Sequence, residues 1–406
     1  MRGLLRGFAA AAALAAVLLA PSCASTERRN AVPFALHAQA YVSGFPREIR
    51  YFPRDAAHVK EFEEDYLASL ERERVWLASQ GHTGPLPPTS FLAISGGGDD
   101  GAFGAGVLNG WAKAGTRPVF KMVTGVSTGA LIAPFAFLGP EWDERLKTLY
   151  TEISMHDVAK PRWVVSVLFE DAMADNSPLL KLIQRAITRE MLDAIAAEYE
   201  KGRILLVATA NLDVRRAVIW NITKIASSKS PAALELVQKI LIASAAIPGT
   251  FPPVMIDVEP DGKSYQEMHV DGGTVAQVFI YPAAIHLYDL APRDRTLYLI
   301  RNARLDPEWA QVERRTLPIA LRAISSLIQY QGLGDLYRIY AVTQRDHVAY
   351  QLAYIPKSFD TPHTSDFDTA YMRALFQLGY SMAEKGYPWE NRPPVLVSGV
   401  DDLVSH

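Results

Sequence analysis

The alternation of hydrophobic and polar positions changes character near residue 89. Residues 24–88 are mostly polar, and a charged stretch around residues 58–80 has the spacing of a helix. Gly84-Pro85-Leu86-Pro87-Pro88 then breaks the chain and reads as a linker. Beyond it, short apolar runs alternate with amphipathic ones. Phe91-Leu92-Ala93-Ile94 predicts a buried strand, followed by a glycine-rich turn and a helix over residues 102–114. Residues 119–124 predict a second strand, which enters a tight turn and a helix starting at Ser127. Ser177-Pro178 predicts a helix start, with Ser177 as N-cap and proline in the first helical position. One long amphipathic helix is expected over residues 179–199. Strands follow at 203–210 and 217–222, and a hairpin at 254–258 and 264–270 turns around Asp261-Gly262. A further strand is expected at 296–301, then a helix at 317–340, a strand at 347–355 and a last helix at 369–385. This order predicts an α/β fold with a mostly parallel sheet covered on both faces. The expected organisation is a leader at 1–23, an extension and linker at 24–88, and one domain at 89–406 with a helical C-terminal part.

The leader carries Arg2 and Arg6 ahead of an apolar, alanine-rich run at residues 8–19. That length suits the core of an export signal and is too short to span a bilayer. Ala20-Pro21-Ser22-Cys23 follows and resembles a lipobox, with Ala20 where leucine is usual and Cys23, the only cysteine, where acylation would occur. The chain is therefore expected to be exported, as a membrane-anchored lipoprotein of a bacterial envelope or else as a periplasmic or secreted protein. In an ordinary secretory signal, Cys23 would be incidental. A body without cysteine forms no internal disulfide.

Composition narrows the function classes. Of 406 residues, 49% are hydrophobic and 21% charged, enough for a substantial core. A formal net charge of -3 gives no field that would attract nucleic acid. A single cysteine and no His/Cys cluster at ligand spacing argue against a metal site, and no cofactor is expected. No protein partner can be inferred.

Three short segments carry chemistry. Gly125-Val126-Ser127-Thr128-Gly129 matches G-x-S-x-G between a predicted strand and helix, where a sharp turn lifts a serine hydroxyl above the sheet. The helix start aims free N–H groups at the same place. A plain turn with Ser127 as helix cap would show the same letters. Ser95-Gly96-Gly97-Gly98-Asp99-Asp100-Gly101 bares backbone N–H groups that could bind a developing oxyanion. Gly96-x-Gly98-x-x-Gly101 also fits a dinucleotide fingerprint. Two features oppose that: the second strand ends in Thr124-Gly125 with no acidic residue for a ribose, and Asp99 and Asp100 would repel a pyrophosphate. His269-Val270-Asp271-Gly272-Gly273 presents a carboxylate on a tight turn, which could serve as base for a serine if close and desolvated.

Taken together and in this order, the three segments resemble the motifs of patatin-like phospholipases. Ala243-Ser244-Ala245-Ala246-Ile247-Pro248-Gly249-Thr250-Phe251-Pro252-Pro253 resembles a fourth, S-x-A-x-P-x-x-F-P-P. The resemblance covers residues 91–273. It implies a three-layer α/β/α fold and a Ser-Asp dyad without histidine. Ser127 would attack an ester carbonyl and form an acyl-enzyme, with Asp271 as base. Gly97 and Gly98, helped by Thr128, would hold the oxyanion. The implied substrates are lipid acyl esters, and a membrane surface is the implied partner. Asp99-Asp100 departs from the family, which has a variable residue and then Arg or Lys there. His269 and His286 remain candidates for a third triad member. A silent lipid-binding lipoprotein and, below it, a nucleotide-dependent oxidoreductase are the alternatives. The apolar residues 163–169 would form a lid or a buried element.

Overall fold

The computed structural model of the chain describes residues 30–161, 172–306, 309 and 311–393. The leader with Cys23 and the apolar stretch at 163–169 lie outside the described residues.

Among the described residues, nine strands build one sheet: β1 (Arg50–Tyr51), β2 (Thr89–Ile94), β3 (Phe120–Val126), β4 (Ile204–Asn211), β5 (Arg216–Asn221), β6 (Val254–Val258), β7 (Tyr265–Asp271), β8 (Arg295–Arg301) and β9 (Val348–Tyr354). Their order is β1-β5-β4-β3-β2-β8-β9, with the β6–β7 hairpin joined to β4 through β7. Strands β4, β3, β2, β8 and β9 run parallel, and the others pair antiparallel. The main helices are α1 (Ala56–Ser79), α2 (Gly101–Lys113), α3 (Thr128–Leu138), α4 (Asp143–Thr151), α5 (Ser177–Ala186), α6 (Arg189–Glu200), α7 (Ala233–Ser244), α8 (Thr316–Arg345) and α9 (Thr369–Glu384).

Side chains alternate across the parallel strands, so each strand feeds two cores. Leu92 and Ile94 of β2 join Phe103 of α2, Ala130 of α3, Ile240 of α7 and Met372 of α9. Phe91 and Ala93 join Tyr66 and Leu70 of α1 and Leu336 of α8 on the opposite face. Helices therefore cover both faces, and the architecture is the expected three-layer α/β/α. On the first face α2 and α9 touch backbone to backbone: a Cβ on Gly106 would lie 2.1 Å from the Phe376 carbonyl oxygen.

The charge pattern sets residues 24–88 apart, yet residues 31–88 pack in the same compact unit as the chain that follows. Strand β1 pairs with β5, and Arg50 forms a buried ion pair with Glu267 of β7. Helix α1 is charged on most of its surface, but Phe62, Tyr66 and Leu70, four residues apart, form one buried stripe. The single helix expected at 179–199 is two. The break falls at Ile187-Thr188, where the Thr188 hydroxyl accepts the Met191 N–H and starts α6. At the start of α5 the N-cap is Asn176, not Ser177, because the Asp175 carboxylate accepts the Ser177 N–H and hydroxyl and draws Ser177 into the first turn.

Candidate active site

Strand β3 ends in Val126, and the chain turns at Ser127 straight into α3. Ser127 sits at φ 54°, ψ -126°, a conformation that costs a non-glycine residue about 1–3 kcal/mol. Surrounding contacts hold it there. Its N–H donates to Ser244 Oγ at 3.0 Å, and the Ser244 hydroxyl donates to the Ala208 carbonyl of β4 at 2.7 Å. The turn also needs its glycines: a Cβ on Gly125 would stand 2.4 Å from the Gly129 oxygen, and one on Gly129 would stand 2.3 Å from the Ile94 oxygen.

Asp271 closes β7 opposite Thr209 of β4. The Ser127 hydroxyl donates to its Oδ2 at 2.6 Å, and the Gly273 N–H donates to its Oδ1 at 2.7 Å. Burial raises its carboxyl to about 6, against the opposing pull of those two donors. Gly272 lets the turn lie on β4, since a Cβ there would be 2.5 Å from the Ala208 oxygen.

The first glycine loop lies against this pair. Its Gly96 N–H donates to the Gln277 carbonyl at 3.0 Å, and Asn302 braces Ser95 with its N–H at 2.8 Å and its side-chain amide at 3.0 Å. A Cβ on Gly97 would meet the Asn302 oxygen at 2.0 Å, so only glycine fits. Gly98 adopts φ 59°. Thr128 opens α3 with its hydroxyl on Tyr150, leaving its backbone N–H in the first helical turn, where N–H groups lack intrahelical partners. The structure thus brings Ser127, Asp271, Gly98 and Thr128 to one place. Both candidate histidines are engaged elsewhere. His269 is buried between Thr209 and Glu267, at 2.9 and 3.1 Å, and His286 is exposed beside Asp289. Among the described residues, no group of His, Cys, Asp and Glu is arranged to hold a metal ion.

Residues 92–284 match the family model of patatin-like phospholipases. The chain carries a patatin-like phospholipase domain. No curated protein matches the chain. Among solved structures it is similar to VipD from Legionella pneumophila, at 12% identity over 73% of this chain and 66% of that one, with a TM-score of 0.32. It is also similar to a complex of SpcU with ExoU from Pseudomonas aeruginosa, at 14% identity over 74% and 52% of the two chains, with a TM-score of 0.28. The chain therefore spans less than two-thirds of the length of either structure.

Two cavities, lined in part by residues beyond the matched stretch, share a wall of Gly98, Ser127 and Ile247. One is a narrow slot of about 70 Å³ with an aliphatic lining that includes Leu131, Leu149, Val158, Leu179 and Ile183. The other, about 550 Å³, is lined by Asp271, Gln277, Arg301, Arg322 and Asp366 among others. Asp99 and Asp100, the departure from the family pattern, tie the glycine loop to the C-terminal segment. Asp99 pairs with His363 and accepts the Phe367 N–H, both at 2.8 Å, and Asp100 accepts the Tyr371 hydroxyl at 2.6 Å. Burial lowers the His363 pKa, but Asp99 outweighs it and the net shift is upward. Sequence reasoning passed over Gln277, Arg301 and Asn302. The signal for the last two was positional: both fall at the carboxyl end of a parallel strand, where open α/β sheets bind ligands.

Proposed function

We propose that this protein is a serine acyl hydrolase of lipid esters, a carboxylic ester hydrolase working through a Ser127–Asp271 dyad. The observation that carries the reading is the 2.6 Å hydrogen bond from Ser127 to Asp271 at the wall common to an apolar slot and a polar cavity. An ester has the same two-sided character. Its acyl chain suits the slot, its alcohol suits the cavity, and its carbonyl would lie where they meet. As Ser127 Oγ attacks the carbonyl carbon, its proton passes to Asp271 Oδ2. The carbonyl oxygen becomes an oxyanion facing the N–H groups of Gly97 and Gly98, and the Thr128 N–H adds a donor at the α3 start. Collapse expels the alcohol, which takes the proton from Asp271. Asp271 then removes a proton from water, whose oxygen attacks the acyl-enzyme, and Ser127 leaves with that proton.

A lipid surface is the proposed partner. Half of the exposed large hydrophobic side chains among the described residues fall between residues 309 and 330, including Trp309, Ile319, Leu327 and Tyr330. The same part of α8 lines the polar cavity with Arg322, Ser325 and Ser326. Single exposed apolar residues are ordinary, but a cluster marks a contact surface. Among the described residues, no helix is long and apolar enough to cross a membrane.

The decisive experiment is hydrolysis of p-nitrophenyl esters of graded chain length, with Ser127→Ala alongside. Loss of at least about a thousandfold in the variant is expected. A fluorophosphonate should label the Ser127 chain and spare the variant. If the unmutated chain releases no nitrophenol, lipid interfaces included, and takes no label, the dyad is silent and the protein binds lipid without turning it over.

A further inference from the structure

Gln277 follows the Asp271 turn and lines the polar cavity together with Ser127 and Asp271. The residue is 4% exposed, and its partners fix its place. Its N–H donates to Asp335 Oδ2 at 2.6 Å, its carbonyl accepts the Gly96 N–H at 3.0 Å, and its Nε2 donates to the Gly273 carbonyl at 2.9 Å. Asp335 is itself held, since it accepts the Val278 N–H at 3.3 Å and pairs with Arg338 at 2.6 Å. Glycines of two motifs make room for the side-chain amide. A Cβ on Gly273 would stand 2.4 Å from Nε2, and one on Gly96 would stand 3.0 Å from Oε1 and 3.2 Å from Ser127 Cβ.

These contacts decide which way the amide points. A carbonyl only accepts, so the nitrogen faces Gly273 and the oxygen faces the other way, towards Gly96 and Ser127. Oε1 has no donor among the described residues. A buried acceptor left without a donor is costly, and beside a reacting centre it suits a ligand that donates. In the hydrolysis of an acyl-enzyme that ligand is water. Water carries two O–H groups: one proton passes to Asp271 as the oxygen attacks, and the other stays on that oxygen. Once the alcohol has left the cavity, this second O–H needs an acceptor close to Ser127.

We propose that Gln277 Oε1 accepts the second O–H of the hydrolytic water and so aims its oxygen at the acyl carbon on Ser127. This rests on the ester hydrolase reading and adds a catalytic residue to its second half. The water oxygen bonds to the acyl carbon, and Asp271 takes one proton. Asp271 returns that proton to Ser127 Oγ as the acyl–Ser127 bond breaks. The O–H held by Gln277 remains in the released carboxylic acid. Acylation of Ser127 consumes no water, so Gln277 acts in deacylation alone.

The test is how the acyl-enzyme divides between water and methanol. Methanol has one O–H, which goes to Asp271 and leaves none for Gln277. The full chain is given a p-nitrophenyl ester in dilute methanol, and the ratio of methyl ester to free acid is read by mass spectrometry. Gln277→Met keeps the length of the side chain and removes the acceptor, so this ratio should rise about tenfold. Fluorophosphonate labelling of Ser127, which needs Asp271 but no water, should keep its rate within about threefold. Gln277→Glu retains an acceptor and should leave the product ratio within about threefold of the unmutated value. Should Gln277→Met fail to fold, Gln277→Lys, which offers Gly273 a donor and has no acceptor, must give the same rise. If Gln277 only braces the Asp271 turn, labelling slows and the product ratio stays where it was. An unchanged ratio in the Met or Lys variant overturns the proposal and leaves the hydrolase reading standing. An unmutated chain that neither turns over ester nor takes the label sinks the hydrolase reading and this one with it.

Discussion

The slot and the cavity on either side of Ser127 would recognise a ligand by different physics. The slot, about 70 Å³, is walled by aliphatic side chains from α3, α4 and α5. Burial of a chain there yields about 25 cal/mol per Å² and depends little on direction. The cavity, about 550 Å³, is walled by loop residues after β8 and by α8, with Arg301, Arg322, Asp100 and Asp366 on its surface. Polar recognition there depends on geometry, and each unmatched group counts against the wrong ligand. The slot would therefore grade substrates by length, and the cavity would select them by charge. The two filters stand on different elements, so either should change without the other. Among the described residues, only Gly98, Ser127 and Ile247 belong to both.

The largest effect should come from a change that ignores both filters. Asp271→Asn keeps the shape of the turn and removes the proposed base. The expected loss in kcat/KM is about a hundred- to ten-thousandfold, the same for short and long, neutral and charged esters. Thermal stability should hold or rise, because a buried carboxylate has gone. The pH profile reads the same group. Burial puts the Asp271 carboxyl at about 6, and the base must be ionised to accept the Ser127 proton. Rate should thus rise with pH through about 6 and level above it, with a tenfold drop per unit on the acid side. A profile flat from about pH 5 to 8 would remove Asp271 from that role.

The sequence disclosed this pair and the polar cavity unequally. Ser127, Asp271 and the glycines stood out because backbone geometry leaves no alternative there. Gly97, Gly125, Gly129 and Gly272 each lie where a side chain would strike main-chain oxygen. The parallel strands were legible because burial on both faces makes them continuous apolar runs. Strand β1 was not, since two residues carry no period and Arg50 is neutralised by Glu267, 217 positions away. Arg301 was hidden for the same reason. One arginine at the end of an apolar strand looks solvated until α8, some thirty residues on, closes over it with Gly332. Asp99 and Asp100 read as a missing cation, whereas the fold uses them to fasten the loop to His363, Phe367 and Tyr371.

The slot can be tested alone. Ala186 ends α5 and lines the slot while remaining partly exposed. Ala186→Phe should fill it with little damage to the core. Esters of long acyl chains should lose about 10- to 100-fold in kcat/KM, and acetate and butyrate esters should stay within about threefold. The ratio between phosphate-bearing and neutral substrates of one chain length should not move. If that ratio shifts as far as the chain-length profile, the two cavities are one site and the proposed division of labour fails.

The smallest effect should come from the support beneath Ser127. Ser244 accepts the Ser127 N–H and donates to Ala208, so its hydroxyl holds the turn on β4 without lining either cavity. Ser244→Ala leaves a buried N–H and a buried carbonyl unmatched, each worth about 1–3 kcal/mol. Part of that will appear as lower stability and part as a loosened nucleophile. A fall of about tenfold in kcat is expected, with KM nearly unchanged, because a displaced Ser127 weakens attack and not substrate capture. Ser244→Thr restores the hydroxyl and should recover part of the rate. Chain-length and headgroup preferences should be the same in all three proteins. A Ser244→Ala chain that loses rate on charged esters alone would place Ser244 in the cavity's filter, and the wall shared by slot and cavity would then extend below Ser127.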